Sequence, residues 1–499
     1  MTVFRQTVDV EIEELNVAGD GVARLGSREL SVPFTIPGER VRVTTGPPRP
    51  GVTYATLEAV LRPSPHRVTP YCPHFGPAFV EASATSRDSA SREGGPCGGC
   101  SWQHIAYPEQ LRLKTELLTR LVRQELSTAP EARAMLPGAA PEYPWGYRQK
   151  VHFVFGTAGR AGRRDSALLM GHYVRGSRRL IPVRECPVHD ERGNALAFRF
   201  RNAFARASAV AAPQEGRRPA LRSITVRVGH GTPEVMATIV LTGDADKALR
   251  AASRRVLDEP GAPSSFHVNL HPESDGFIFG RDTRRVAGPE RMRESVAGAS
   301  FLVSPTAFFQ TNIHVAGVLV RLVLEAVPAD ARVLDLYAGA GLFAIPLARA
   351  GHQVVAVEES RAAVADGEAS RRLNRIPETS CRFVARRVEQ ALGTPGVRPP
   401  FDVVVMDPPR EGCSPDVVDR VFGEGTPKTA IYISCNPEAL GRDLARIARH
   451  GYRVESIQPV DMFPHTAHIE SVVVLTRVAV KTATSLLKGR PTTRRMGPP

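Results

Sequence analysis

The stretch VLDLYAGAGLFA, residues 333–344, decides the fold of the C-terminal part of this 499-residue chain. Its first half is apolar like a buried strand, and its second half is a glycine turn that opens a helix. Gly339 and Gly341 let the backbone approach a ligand closely, because glycine has no side chain and tolerates positive φ. The same spacing also fits a dinucleotide-binding turn, so the motif by itself does not choose between cofactors.

Two further strand ends narrow the choice of cofactor. The run HQVVAVEES reaches Glu358, 17 residues after Gly341, where an acid can bind ribose hydroxyls; a solvated strand-end acid is the alternative. The run FDVVVMDPPR reaches Asp407-Pro-Pro, and this combination favours S-adenosylmethionine over a nicotinamide cofactor. The alternation of strands and helices over 331–477 predicts a parallel, doubly wound sheet in a Rossmann-like domain that we place at 301–480.

A cysteine and a glutamate are expected at the sheet edge where ligands bind. Cys435, in YISCNPEALGRDLA (432–445), follows a β-rich run and precedes a helix, which places it at the carboxyl end of a strand. A thiol there suits methylation of C5 of a pyrimidine, because C5 becomes nucleophilic only after a thiolate has added to C6. A base must then remove the C5 proton, and Glu470 at the start of the next strand is the candidate. The alternatives are a buried structural thiol and an exposed strand-start glutamate.

The sequence pattern of the N-terminal part predicts a small barrel, and the excess of basic residues predicts a polyanionic partner. Residues 8–60 contain five short strand-like runs with Gly and Pro turns, which predicts an OB-like β-barrel at 1–62, either an RNA platform or a purely structural domain. The net charge of +14 favours nucleic acid. Without an apolar signal core or a bilayer-spanning run, we expect a cytoplasmic protein with no membrane partner. The basic tail at 481–499 is expected to be disordered.

Seven cysteines in such a chain are candidates for catalysis or metal ligation. Cys97-Gly-Gly-Cys100 is a chelating pair, and two further cysteines lie upstream and downstream of it. The four candidates are Cys72, Cys97, Cys100 and Cys186. Four thiolates bind an iron–sulfur cluster or zinc, and free thiols are the alternative. They belong to a central mixed α/β domain that we place at 63–300, in which a helix predicted at 108–127 is a candidate to pack on the catalytic domain.

Seven motifs, in this order, resemble those of the bacterial RNA uracil-5-methyltransferase family. They are YRQK (147–150), FFQTN (308–312), LDLYAGAGLF, VVAVE, DPPREG, YISCNP and DMFPHTAHIE. The barrel resembles the TRAM domain of that family in GDGVAR and VPFTIPGERVRV. The resemblance covers most of residues 8–477 and implies transfer of a methyl group from S-adenosylmethionine to C5 of a uridine in RNA.

The resemblance also implies a role for each candidate residue. Cys435 would be the nucleophile and Glu470 the proton-abstracting base. The cofactor-binding residues would be Gln310, Tyr337, Glu358 and Asp407. The family's [4Fe-4S] cluster would be held by Cys72, Cys97, Cys100 and Cys186, although the gap from Cys72 to Cys97 is longer than usual. Two positions depart from the pattern, since Leu342 and Arg387 stand at or near places where many members have Asn.

Three readings of the function follow. The combination of a TRAM barrel and a cluster resembles the enzymes of the family that act on 23S ribosomal RNA, because the transfer-RNA branch typically lacks both features. We therefore expect ribosomal RNA as the partner, and we expect no obligate protein partner. One alternative is an RNA 5-methylcytosine methyltransferase, but its usual Pro-Cys is replaced by DPPREGCS, with Cys413 six residues after Asp407. The other is a non-catalytic RNA-binding or ribosome-assembly protein, against which Cys435 and Glu470 argue.

Overall fold

The computed structural model of the chain describes residues 5–47, 51–76, 96–138, 143–158, 167–207, 220–273 and 276–478. The tail predicted at 481–499 lies outside the described residues. Within them, no helix is both long enough and apolar enough to cross a membrane.

The N-terminal strands form one curled, barrel-like sheet. Its strands are β1 (Thr7–Glu11), β2 (Glu14–Leu15), β3 (Gly21–Leu25), β4 (Arg28–Val32), β5 (Arg40–Thr45) and β6 (Val52–Arg62), in the spatial order β1-β5-β6-β4-β3-β2. The first predicted run is two strands rather than one, because the chain bends at Ile12, whose N–H donates to the carbonyl of Glu39. Alternate residues such as Val41 and Val43 are fully buried and form the core of this sheet.

A long helix and a second sheet form the central part. Helix α1 (Tyr107–Glu125) packs against the C-terminal domain, whereas the sheet carries two helices on one face. The strands are β7 (Lys150–Thr157), β8 (Leu168–Tyr173), β9 (Leu180–Pro182), β10 (Leu221–Val228), β11 (Val235–Leu241), β12 (Ser265–Leu270) and β13 (Asp282–Ala287), in the order β13-β12-β11-β10-β7-β8-β9. The helices are α2 (Glu191–Arg206) and α3 (Lys247–Leu257).

The C-terminal domain begins with a hairpin and continues as a layered α/β structure. The hairpin is β14 (Met292–Val296) and β15 (Ala299–Val303). The sheet strands are β16 (Arg332–Leu336), β17 (Gln353–Glu358), β18 (Cys381–Ala385), β19 (Val403–Met406), β20 (Thr429–Ser434), β21 (Tyr452–Val460) and β22 (Glu470–Arg477). The helices are α4 (Ile313–Ala326), α5 (Ala344–Arg349), α6 (Arg361–Leu373), α7 (Val388–Ala391), α8 (Pro415–Val418), which continues as a π-helical segment at Asp419–Gly425, and α9 (Pro437–Ala448).

The strand order of this sheet is β18-β17-β16-β19-β20-β22-β21. The first five strands are parallel, as the alternation predicts, and β21 runs in the same direction, but β22 is antiparallel to both of its neighbours, so the prediction of a wholly parallel sheet is wrong for β22. The reason is that β21 and β22 are joined by the short 461–469 segment with no crossover helix, and such strands pair antiparallel. As a result, the carboxyl end of β20 meets the amino end of β22 at the ligand-binding edge.

Candidate active site

The glycine turn after β16 is built by positive backbone angles and one carboxylate. Gly339 has φ +56° and Gly341 has φ +86°. A Cβ on Gly341 would lie 2.7 Å from the ring of Phe383, whereas a Cβ on Gly339 would meet no atom within 4 Å. The Glu358 carboxylate accepts hydrogen bonds from the N–H groups of Gly339 (2.9 Å) and Ser360 (2.8 Å). Glu358 therefore stabilises the conformation of the turn, in addition to the ribose contact that the sequence predicts for it.

Three of the four predicted cofactor residues lie at the carboxyl ends of adjacent parallel strands, with Glu358 as the last residue of β17. Tyr337 comes after β16 in the left-handed region at φ +61°, a conformation that costs a non-glycine residue about 1–3 kcal/mol. Asp407 comes after β19, and its N–H donates to the carbonyl of Leu336, so it lies beside the turn. Gln310 is half-buried in the FFQTN segment that leads into α4.

Acidic groups dominate the electrostatics of this edge. Burial raises the pKa of Asp407 to about 7. Asp335, fully buried within β16, has a pKa held well above its usual value by burial and by the nearby Asp407 and Glu358. A positively charged ligand at this edge would favour the ionised forms of these carboxyl groups, whereas a phosphate-rich ligand would disfavour them.

The two positions that depart from the family pattern lie in different environments. Leu342 is buried in the hydrophobic core beneath the turn. Arg387 is exposed, and its guanidinium lies 3.6 Å from the carboxylate of Glu359.

The predicted nucleophile and base face each other across two antiparallel strands. In the ladder between β20 and β22, Ser434 pairs with Ser471, and one step further along the same register are Cys435 and Glu470. Burial, together with the charges of Glu470 and Asp407, raises the pKa of Cys435 to about 11, and the charge of Arg410 opposes them. Glu470 is 3% exposed, and burial together with Asp407 holds its pKa well above the usual range. The pair is thus a neutral thiol beside a carboxyl group of raised basicity.

Arg410 is a functional candidate that the sequence reasoning missed. Its side chain is exposed, and its charge lowers the pKa of both Cys435 and Glu470. Its carbonyl accepts a hydrogen bond of 2.9 Å from Nδ2 of Asn436, whose Oδ1 caps α9 by accepting from the N–H of Glu438. Its position directly after Asp-Pro-Pro could have indicated a positive charge between the predicted loops that carry Asp407 and Cys435.

The 461–469 segment, which leads into Glu470, is anchored on α1. The Asp461 carboxylate accepts from Nζ of Lys114 (2.6 Å) and from the hydroxyl of Tyr107 (2.9 Å). Both Lys114 and Asp461 are completely buried, and Lys114 also donates to the carbonyl of Phe463 (3.0 Å). This ion pair joins two parts of the chain that no local sequence pattern connects.

Other distant motifs converge on the same segment. Gln149 of YRQK donates through its N–H to Thr311 and accepts from the N–H of Ile313, which fixes the FFQTN segment. Asn312 of that segment donates to the carbonyl of Met462 (3.0 Å). The ring of Trp145 stacks on His465 with centroids 4.0 Å apart.

The barrel also touches this segment. Nε1 of Trp102 donates to the carbonyl of Gly19 (2.8 Å), and Trp102 is completely buried. A Cβ on Gly19 would lie 2.3 Å from Cβ of Ala467, so the barrel turn packs directly on the 461–469 segment.

The four predicted metal ligands line a single cavity, which we call the cysteine cavity. Its volume is about 190 Å³, and it is lined by Cys72, Cys97, Cys100 and Cys186, together with His74, His152, His172, His189, Arg148 and Lys150. Burial raises the pKa of all four thiols, that of Cys72 to about 12, which disfavours free thiolates in the absence of a cation. Residues 77–95, between Cys72 and Cys97, lie outside the described part of the chain. The donor set fits a thiolate-bound metal centre.

Sequence models of two domains match this chain. The model described as tRNA (Uracil-5-)-methyltransferase matches residues 293–478, and that of the TRAM domain of tRNA (uracil(54)-C(5))-methyltransferase matches residues 8–66. An uncharacterized RNA methyltransferase of Thermosynechococcus vestitus is 33% identical over 95% of this chain and 100% of its own. Another, from Gloeobacter violaceus, is 34% identical over 95% of this chain and 97% of its own.

One solved structure resembles the chain over nearly its whole length. It is the crystal structure of Pyrococcus abyssi tRNA (uracil-54, C5)-methyltransferase in complex with S-adenosyl-L-homocysteine, with a TM-score of 0.72 and 26% identity. The match covers 94% of this chain and 100% of the Pyrococcus chain. The arrangement of barrel, central part and C-terminal domain is therefore shared.

Proposed function

Because the chain belongs to the RNA uracil-5-methyltransferase family with an N-terminal TRAM domain and is an S-adenosylmethionine-dependent RNA methyltransferase, we propose that it methylates C5 of a uridine through a covalent Cys435–C6 adduct. The observation that carries the proposal is the register of β20 and β22, which puts Cys435 opposite Glu470 beside Asp407.

In the proposed mechanism, each residue handles a specific bond. The Cys435 thiol loses its proton to solvent, and the thiolate forms a bond to C6, which places negative charge on C5 and O4 of the uracil. S-adenosylmethionine, when bound, supplies the electrophilic methyl group that C5 accepts. Glu470 then takes the proton from C5, the C5–C6 double bond re-forms, and the bond from C6 to Cys435 breaks. The raised pKa of Glu470 makes this carboxylate a stronger base than an exposed glutamate.

The residues proposed to hold the methyl donor are Gln310, Tyr337, Glu358 and Asp407. The open side of Gly339 leaves room for a ligand against the turn. Glu358 uses two backbone N–H groups to shape the turn and keeps further lone pairs for ribose hydroxyls. The acidic edge formed with Asp407 suits a sulfonium cation.

We also propose that Cys72, Cys97, Cys100 and Cys186 hold a [4Fe-4S] cluster. The support is that all four thiols reach one cavity, and that Cys72 and Cys186 lie close enough to Cys100 for its charge to raise the pKa of both. Arg148 and Lys150 line the same cavity and would offset the negative charge of four thiolates. Arg148 and Lys150 both belong to the YRQK motif, whose Gln149 fixes the FFQTN segment, so the proposed cluster would support this part of the structure.

The RNA target has two candidates. Ribosomal RNA is the hypothesis that the sequence favours, but a TRAM barrel does not distinguish it from transfer RNA, because the matching TRAM model is named for a transfer-RNA enzyme. The full-length similarity to the Pyrococcus transfer-RNA enzyme favours U54 of transfer RNA as the second candidate.

The 5-methylcytosine alternative loses support from the position of Cys413. Its side chain is 8% exposed and packs in the core, and its N–H donates to the carboxylate of Asp443 (2.7 Å). A nucleophile there would not reach a base at the sheet edge.

The proposal is tested by mapping modified nucleosides in RNA from a deletion strain that carries either the wild-type gene or the Cys435→Ala variant. We expect 5-methyluridine to be missing at one or more positions in the variant strain and to be restored by the wild type. Loss at a 23S position supports the first target, and loss at transfer-RNA position 54 supports the second. The proposed reaction would be contradicted if 5-methylcytosine were lost instead, or if the variant strain lost no methylated base at all.

A further inference from the structure

Two histidines and one cysteine of the cysteine cavity form a second ligand set, which shares only Cys186 with the four cysteines. The ligand atoms of His172, Cys186 and His189 all lie within 4.8 Å of one another. In the part of the chain that the structure describes, no other three His, Cys, Asp or Glu side chains meet this criterion. Within the cavity, these two imidazoles and one thiol are therefore grouped more closely than any three of the cysteines.

Rigid local structure positions these three side chains. Cys186-Pro187-Val188-His189 is a tight turn, in which the N–H of His189 donates to the carbonyl of Cys186 (3.0 Å). Such a two-residue spacing between Cys and His is common in metal-binding turns. His172 comes from β8, where pairing with Ile181 of β9 fixes its position.

The two imidazoles present nitrogen atoms that the protein leaves without a hydrogen bond. Nε2 of His172 and Nδ1 of His189 are buried and have no hydrogen-bond partner among the described residues, which leaves each imidazole with an unsatisfied polar atom. A metal ion would satisfy both atoms. Zinc binds nitrogen and sulfur at about 2.0–2.3 Å, which separates neighbouring ligand atoms by about 3–4 Å, and the 4.8 Å upper limit on the spacing of this triad is compatible with that geometry.

A supporting side chain stands behind the triad. Nδ2 of Asn194 donates to the carbonyl of Cys186 (3.0 Å), and the same carboxamide interacts with the ring of His189. Polar groups behind metal ligands commonly orient them in this way.

We propose that His172, Cys186 and His189 bind one divalent ion of the zinc class. Binding forms two nitrogen–metal bonds and one sulfur–metal bond, and the proton of the Cys186 thiol passes to solvent. Because Cys186 also belongs to the four-cysteine set, a chain that holds the iron–sulfur cluster binds no ion at the triad. Only this mutual exclusion rests on the proposed cluster. The zinc site itself does not depend on methyl transfer.

The test uses the full-length chain, stripped of metal, with Zn²⁺ or Co²⁺ alone as the probe. In the triple variant Cys72→Ser, Cys97→Ser, Cys100→Ser, we expect one ion per chain and a cobalt spectrum with the charge-transfer intensity of a single thiolate. Adding His172→Ala or His189→Ala to this background should abolish binding. The matched control, His74→Ala in the same background, changes another histidine of the same cavity and should leave binding intact.

Zinc X-ray absorption on the wild-type, cluster-free chain provides a second measurement that does not depend on how the variants fold. We expect one sulfur and two imidazole nitrogens in the coordination shell. Four sulfur ligands, a folded triple variant without metal, or unchanged binding after the loss of both triad histidines would overturn the proposal.

Discussion

The glycine turn and the 461–469 segment lie at the same sheet edge but are stabilised in different ways. The turn is closed from within its own neighbourhood, since Glu358 bonds Gly339 only 19 residues away. Asp461 is instead held by Lys114, 347 residues away, and the barrel and Tyr147 of YRQK add further contacts to the 461–469 segment from outside the C-terminal domain. The half of the site that we propose to bind the methyl donor is therefore encoded locally, whereas the half that carries the proposed base depends on the assembly of all three parts.

The strongest test of this contrast is to break the buried ion pair. Lys114→Met leaves Asp461 buried without its cation, and loss of one partner of such a pair costs about 3–5 kcal/mol of unfolding free energy. We expect a lower melting temperature and a large loss of methyl transfer, with methyl-donor affinity less affected, measured by denaturant unfolding, product formation and calorimetry.

The matched control is Lys428→Met, which breaks an exposed pair with Asp402 at 3.2 Å. Exposed pairs contribute about 0–1 kcal/mol, so this variant should resemble the wild type. Equal destabilisation by the two variants would show that α1 does not anchor the 461–469 segment.

The converse change is in the glycine turn. Gly341→Ala forces an L-residue into φ +86° and places its Cβ 2.7 Å from Phe383, so strain of about 1–3 kcal/mol falls on the turn. We expect the affinity for S-adenosylmethionine to fall by about ten-fold to a hundred-fold in calorimetric titrations, because each 1.4 kcal/mol is a factor of ten. The reactivity of Cys435 towards alkylation should be unchanged.

Gly351→Ala is the control for this experiment. Gly351 has an even larger φ of +98°, but a Cβ there would meet no atom within 4 Å, and it lies after α5 rather than in the turn. If Gly351→Ala weakened methyl-donor binding as much as Gly341→Ala does, general instability rather than the shape of the turn would explain the loss.

A smaller effect concerns the charge around the thiol. With the pKa of Cys435 raised to about 11, alkylation by iodoacetamide should accelerate about ten-fold per pH unit up to about pH 10 in the free protein. Glu470→Gln removes a negative charge and should lower this pKa, whereas Arg410→Gln removes a positive charge and should raise it. Peptide mass spectrometry after pulses at different pH values measures both shifts. Shifts in the same direction, or a wild-type midpoint near that of an ordinary thiol, would contradict the arrangement.

The same contrast explains how far the sequence could be interpreted. Strand ends and the glycine turn depend on neighbouring residues, so the positions of Tyr337, Glu358, Asp407 and Cys435 after their strands could be predicted. The place of β22 between β20 and β21 could not, because it depends on which strands pair across the sheet. The Lys114–Asp461 pair and the His172–Cys186–His189 triad join residues from separate elements, and no periodicity connects them.

The central claim is that Cys435 attacks the base and that Glu470 later removes a proton from it. Glu470→Gln keeps the thiol and the donor site but lacks the base, so attack and methyl transfer should proceed and elimination should not. We expect a methylated RNA–protein adduct that survives denaturing electrophoresis and carries radiolabel from the methyl group, whereas the control Glu438→Gln, an exposed glutamate on α9 close to Cys435, should release product normally. Release of methylated RNA by Glu470→Gln at the wild-type rate, with no labelled adduct, would contradict the account.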